Sequence, residues 1–429
     1  NRQDDLHLAK ILTCCVLATA IVFSTLGAYR RSGADPAFSR LATVYSLVHD
    51  GTFFIDRPAD SQPLRFEQNT IDEVMVRGER VGAGVKNGRL ISSKPPILPL
   101  LMAAEYVAMK KVFGWTLDSK EDTNKILLWM TITLVGGAYV LSLYLFVKIL
   151  NLLALDEAQK ILLLLCLAFC TQMWGYSTLF NNHVPGACAL IGAIYAGISI
   201  LTDRNRTTIP RFLFLGFCTS LVFALDMPAT IFAAAVFLFV FWNYKRETLI
   251  WALLGGLPVL IVHFAIEFYL TNSFLPVQSH KNLYWFESSY WRNPIQVDAL
   301  NEPKLTYLFH MTFGRSGIFS LYPVLLLGVA GGIRALYRTN IRYRYGILAG
   351  FFSFLVMSVY YLLKTNNYGG EAYGFRWYIP AMPVLLLMGI PVLRSFNKKW
   401  HWVFFAFLAA LSFYSAWEAT KVGWSANQE

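Results

Sequence analysis

Long apolar runs alternate with short polar connections along this chain, and the rhythm breaks twice. A first apolar run over 8–29 is followed by about 65 mostly polar and charged residues. That stretch opens with Asp35 and closes with Ser93-Lys94-Pro95-Pro96. Ten further apolar runs follow, over 124–148, 161–179, 184–201, 212–225, 228–243, 249–270, 321–337, 346–363, 379–393 and 402–419. A helix needs about 20 apolar residues to cross the hydrocarbon of a bilayer, and many of these runs approach that length. The pattern predicts an all-α polytopic membrane protein with about 11 transmembrane helices, organised as one domain over 1–429. Segment 97–113 is apolar but short, and Glu105, Lys110 and Lys111 interrupt it. It is expected to lie in the membrane interface as a helix. Residues 38–48 read as a second amphipathic helix, ended by Asp50-Gly51.

Composition agrees with the pattern. The chain of 429 residues is 56% hydrophobic and only 15% charged, against about a quarter charged in soluble domains. The first run lacks a small-residue cleavage site and reads as an anchor. The formal charge of +11 does not call for nucleic acid, because polytopic proteins collect basic residues beside the membrane. The six cysteines all fall in or near apolar runs, so they are packing residues rather than a disulfide framework.

Charge placement sets the expected orientation. With the N-terminus inside, the short inner connections and the N-terminal tail hold about 16 Lys and Arg, against Lys364, Arg376 and Lys421 outside. Short loops follow the positive-inside rule and long loops are exempt from it. The long loops 30–123 and 271–320, and the shorter 364–378, are therefore expected on the outer side.

Candidate chemistry gathers in those outer segments. Asp35, in a turn after Gly33 and before Pro36, reads as a general base for an acceptor hydroxyl or as a helix cap. Arg40 reads as a phosphate ligand or a solvated charge. Lys94, held before two prolines at the water–lipid boundary, reads as a phosphate contact or a snorkelling anchor. Asn182 and His183 sit in a near-hairpin with little solvent to serve, so a cavity is expected there. Asp226, in the next tight turn, needs a partner or caps a helix. Arg315, between Gly314 and Gly317, suits an anionic headgroup. Tyr368, Glu371, Tyr373 and Arg376 crowd a glycine-rich loop before Pro380, which argues for a shaped site rather than a spacer.

Taken together these residues resemble the GT-C superfamily of membrane glycosyltransferases, on the side of the bacterial aminoarabinose transferases and protein O-mannosyltransferases. Four features carry the resemblance: Asp35 after the first run, Lys94-Pro95-Pro96 closing the first loop, the interfacial helix behind it, and Gly369-Gly370 to Gly374-Phe375-Arg376 before a late run. The resemblance implies a polyprenyl-phosphate sugar as donor, attack by an acceptor hydroxyl with inversion, Asp35 as base and Lys94 on the donor phosphate. Arg376, Arg315 and Arg40 are the further phosphate contacts, with Asn182, His183, Tyr368, Glu371 and Tyr373 lining the substrate cavity. Such enzymes often carry an acidic pair where this chain has Asp35-Pro36, and an aspartate where it has Asn182-His183. That leaves a divalent metal open and no cofactor firmly implied.

The expected partners are a polyprenyl-phosphate lipid, membrane lipids and an acceptor of unspecified class, with no nucleic acid. The expected location is the bacterial inner membrane, with the N-terminus cytoplasmic and the site periplasmic. The rival readings are a transporter or lipid flippase, and a non-catalytic subunit of a membrane complex. No clear inverted repeat or pair of broken helices favours the transporter.

Overall fold

The structure, a computed structural model, describes residues 2–30, 37–56, 70–202 and 208–422. Asp35 lies outside the described residues. The chain is mainly helical: α1 Arg2–Arg30, α2 Phe38–His49, α3 Ile97–Phe113, α4 Lys120–Leu152, α5 Glu157–Phe169, α6 Gln172–Tyr176, α7 His183–Thr202, α8 Ile209–Leu225 and α9 Met227–Asn243. Then come α10 Lys245–Thr271, α11 Lys304–Thr312, α12 Pro323–Tyr337, α13 Arg344–Lys364, α14 Ala381–Leu393 and α15 Lys399–Val422. Among the described residues, six helices are long and apolar enough to cross a membrane: α1, α4, α7, α10, α13 and α15. Helices α8, α9, α12 and α14 are apolar but shorter.

Helix ends follow local chemistry. Asp156 caps α5 by accepting from Gln159 N at 2.8 Å, a standard way to satisfy an orphan first-turn donor. Asn272 adopts a left-handed conformation (φ 53°) and stops α10, as asparagine tolerates better than most residues.

Two features depart from the sequence-based expectation. The apolar run 161–179 is not one helix. It breaks after Phe169, where Thr171 turns extended, and resumes only as the short α6. A polar set explains how a break is tolerated in an apolar run: Thr171, Gln172, Ser177, Thr178 and Asn181 are all buried. Asn181 Nδ2 donates to the Tyr176 and Leu179 carbonyls, each at 2.7 Å, and Thr178 Oγ1 donates to Gly175 O at 2.7 Å. Buried irregular backbone survives where side chains satisfy it in this way.

The second departure is strand structure in a chain expected to be all-α. The first loop holds β1 Glu73–Val76, β2 Glu79–Val81, β3 Gly84–Lys86 and β4 Arg89–Ser92. β1 pairs antiparallel with β4, Glu73 opposite Ser92, and β2 pairs with β3. Val74, Val76 and Ile91 bury one face, matching the two-residue period of a half-buried strand. The ladder's register has a direct result. Ser93 N donates to Asp72 O at 2.9 Å, so the residues just past the paired strands, Asp72 and Lys94, are brought side by side.

The second long loop docks on this hairpin. Val85 N donates to Trp285 O at 2.9 Å. Gly84 must be glycine for that approach, since a Cβ there would lie 1.9 Å from Trp285 O. Trp291 Nε1 donates to Ile71 O at 3.0 Å and Gln278 Nε2 to Ser93 O at 2.5 Å. The second loop thus grips the hairpin base on both sides of Asp72 and Lys94.

Candidate functional site

Five segments distant in sequence meet at the base of that hairpin. Lys94 Nζ lies 2.7 Å from Asp72 Oδ1, with both side chains about a quarter exposed. Arg40 comes from α2, whose Ser39 is hydrogen-bonded to Ser92 of β4 at 2.9 Å. Its guanidinium is buried and donates through Nη2 to Asn182 Oδ1 at 2.8 Å. Asn182 is itself fixed, its Nδ2 donating to Leu225 O at 2.8 Å. His183, at the start of α7, places Nδ1 2.7 Å from Asp226 Oδ2 between α8 and α9, and both residues are buried. Arg376 arrives from the glycine-rich loop before α14.

The charges act on one another. Burial lowers the Arg40 guanidinium to about 10, a fall that Asp72 opposes and Arg376 deepens. Burial likewise lowers the Lys94 ammonium, with Asp72 opposing and Arg40 and Arg376 adding to the fall. Burial pushes the Asp72 carboxyl up, but Lys94, its hydrogen bond, Arg40 and Arg376 outweigh that and hold it below the ordinary carboxylate range. Burial lowers Arg376, opposed by Tyr176, Asp72, Asp298 and Asp226. Arg40, Lys94 and Arg376 therefore share one electrostatic neighbourhood with Asp72 among them. Like charges that act on one another disfavour each other's charged form, and an anion among them would favour it.

The remaining expected site residues fall elsewhere. Arg315 is half-exposed and pairs with Glu302, Nη2 to Oε1 at 3.8 Å, while its guanidinium lies 5.2 Å over the Tyr368 ring. Tyr368 donates to Glu302 through its hydroxyl and stacks on Tyr307 at 4.5 Å. Arg315 and Tyr368 thus form a neighbouring patch of their own. Glu371 is exposed, and no ion pair joins it to Arg376 among the described residues. The Tyr373 hydroxyl is hydrogen-bonded to Ser415 of α15 at 3.1 Å, and only its carbonyl faces inward. Asp72 was not among the expected residues; one acid in a polar loop has no distinguishing sequence mark. Among the described residues no three metal-ligating side chains come together. Asp72 is engaged with Lys94 and Asp226 with His183.

No protein-family model and no curated protein matches this chain. Among solved structures it is similar to the Archaeoglobus fulgidus oligosaccharyltransferase tethered with an acceptor peptide containing the NVT sequon. The TM-score is 0.55 at 11% identity, over 95% of this chain and 54% of that one. The archaeal oligosaccharyltransferase AglB of the same organism, in complex with an inhibitory peptide and a dolichol-phosphate, gives a TM-score of 0.47 at 12% identity, over 96% and 55%. The chain spans about half the length of these structures. At such identity the likeness shows the fold alone: this chain shares the fold of about half of the first of these oligosaccharyltransferase structures.

Proposed function

We propose that this chain is an inverting glycosyltransferase that moves a sugar from a polyprenyl-phosphate donor to an acceptor hydroxyl at the outer face of a bacterial inner membrane. The observation that carries this reading is the seating of Arg40 and Lys94 from separate segments about the hairpin base, through the Ser39–Ser92 and Arg40–Asn182 hydrogen bonds and the Lys94–Asp72 pair, with Arg376 acting on both. The fold shared with a GT-C enzyme supports it. In this reading all eleven apolar segments are anchored in the membrane, the N-terminus is cytoplasmic, and α2 and α3 lie in the outer interface.

The chemistry is then as follows. The Asp35 carboxylate takes the proton from the acceptor hydroxyl. The acceptor oxygen attacks the anomeric carbon, and the bond from that carbon to the donor phosphate oxygen breaks. The phosphate leaves with the electron pair as a polyprenyl phosphate, and configuration at carbon inverts. Charge grows on the phosphate as the bond breaks, so fixed cations stabilise the transition state more than the ground state. Lys94 and Arg376 contact the phosphate. Arg40, oriented by Asn182, adds to the field from a buried position. Asp72 neutralises Lys94 until the phosphate arrives. His183, oriented by Asp226, lines the cavity. The aminoarabinose or O-mannosyl branch, and the acceptor, belong to this proposal at the level of resemblance only.

The discontinuous α5–α6 segment is the feature that would suit a transporter or flippase. Its polar groups are spent on its own backbone and on the loop that carries Arg376, which favours the enzyme.

The test uses detergent-solubilised full chain and farnesyl phosphate, a short polyprenyl phosphate. Saturable binding that weakens in Lys94→Ala and Arg376→Ala is the expected result. Absence of binding by the wild-type chain, or equal binding by both variants, would overturn the reading.

A further inference from the structure

Arg376 can serve a phosphate only if its loop is fixed, and the loop has reason to wander. Tyr368, Gly369, Gly370 and Gly374 all have positive φ, a conformation with few intrinsic preferences to hold it when glycine supplies it. Immediately before Arg376 the chain is anchored by rings: Phe375 lies 4.7 Å from Tyr378 and 5.4 Å from Tyr361. Phe375 N also donates to Ser316 O at 2.9 Å. Two residues further upstream, at Tyr373, the anchor is α6. Gln172 Nε2 donates to Tyr373 O at 2.5 Å, and Tyr176 Oη reaches the same carbonyl at 3.4 Å.

We propose that Gln172 is a positioning residue: by holding the Tyr373 carbonyl it sets where Arg376 presents its guanidinium. The phosphate part of this claim rests on the function proposed above. Three observations carry the positioning itself. Gln172 is fully buried beside a helix break that gives it no other local duty. Its Oε1 has no partner among the described residues, so only the donor side is used. The contact is also close on the loop side: a Cβ on Gly374 would lie 3.1 Å from Gln172 Nε2 and 2.9 Å from Leu321 Cδ1. The break after Phe169 thereby has a use. A continuous helix through 170–176 would place the Gln172 amide differently.

The test compares Gln172→Leu and Gln172→Glu in the full chain. The second keeps the size of the side chain and removes the Nε2 donor. Hydrogen–deuterium exchange is followed across 368–378, with α7 and α13 amides as the folding control, and farnesyl phosphate binding is measured alongside. The expected result is faster exchange confined to the loop and about tenfold weaker binding, the scale of one lost buried hydrogen bond. In an Arg376→Ala background the same substitution should add nothing to the loss of binding, because it acts through Arg376. Unchanged loop exchange in both variants, or an equal loss of binding with and without Arg376, would overturn the proposal. If the wild-type chain binds no farnesyl phosphate, the phosphate reading falls, and the exchange result alone decides the positioning claim.

Discussion

Lys94 and Asp72 are twenty-two positions apart, yet Nζ and Oδ1 stand 2.7 Å from each other because the β1–β4 ladder ends between them. The ion pair is a product of strand register. Changing that register, or either partner, changes the field felt by Arg40 and Arg376.

Replacing Asp72 by asparagine should destabilise the chain by about 1–3 kcal/mol, since it leaves a half-buried ammonium without its counter-charge. The sign of the pH dependence follows from the depressed folded-state carboxyl. Its contribution is full above the ordinary carboxylate range and is lost as pH falls through the lower, folded-state value. Thermal unfolding of wild type and Asp72→Asn should therefore differ at neutral pH and converge only below pH about 4. Convergence already near pH 6 would contradict this.

Arg376→Lys should lose transfer activity by roughly tenfold or more while keeping its charge, because lysine lacks the planar fork that grips a phosphate. Steady-state transfer kinetics in membranes would show the loss in kcat. Parity with wild type would remove Arg376 from the phosphate site.

Asp35→Asn should cut transfer by about 10²–10⁴, the usual cost of losing a positioned base, with farnesyl phosphate binding retained. A variant that transfers at the wild-type rate would take Asp35 out of the mechanism.

Asn87 stands in the connection between β3 and β4 with φ 54°. Asn87→Val should destabilise the hairpin by about 1–2 kcal/mol, because a β-branched residue is strained there. Since the hairpin seats Asp72 beside Lys94, phosphate binding should weaken without any change in the charged groups. Binding at wild-type strength in a demonstrably strained variant would show that the seat does not depend on the turn.

Glu121 near the start of α4 is well exposed. A single cysteine at this position in a cysteine-free background should react with an impermeant maleimide from the outer side of intact cells. Labelling only after the cytoplasmic side is opened would invert the proposed orientation.

The helices were the most readable part of this sequence, because a run of apolar residues needs no partner to declare itself. The break after Phe169 was not readable. Thr171 and Gln172 sit inside an apolar run, and only the folded chain reveals that they are buried against the Tyr373 loop. The hairpin turn had a signal, Gly82 with positive φ in Gly82-Ala83 between Val81 and Gly84; the charged character of the loop masked it. That Lys94, Asn182 and His183 would be enclosed and paired was legible, because polar groups beside apolar runs are costly without a partner. Asp72 was not, since its role arises from a pairing across the ladder. The pairing of Arg315 with Glu302 was not legible for a similar reason: Glu302 is an ordinary loop acid until the fold brings it near.

The junction of Gly84 with Trp285 makes the two long loops heritable only as a unit. A chimera that borrows 70–96 from another protein without 271–320 would meet a foreign surface at the hairpin tip and at both flanks of its base. Exchanging the segments together preserves those seams. The two pieces are therefore transplantable as a cassette, and a graft of either alone should yield a chain whose Asp72–Lys94 pair is not held in place.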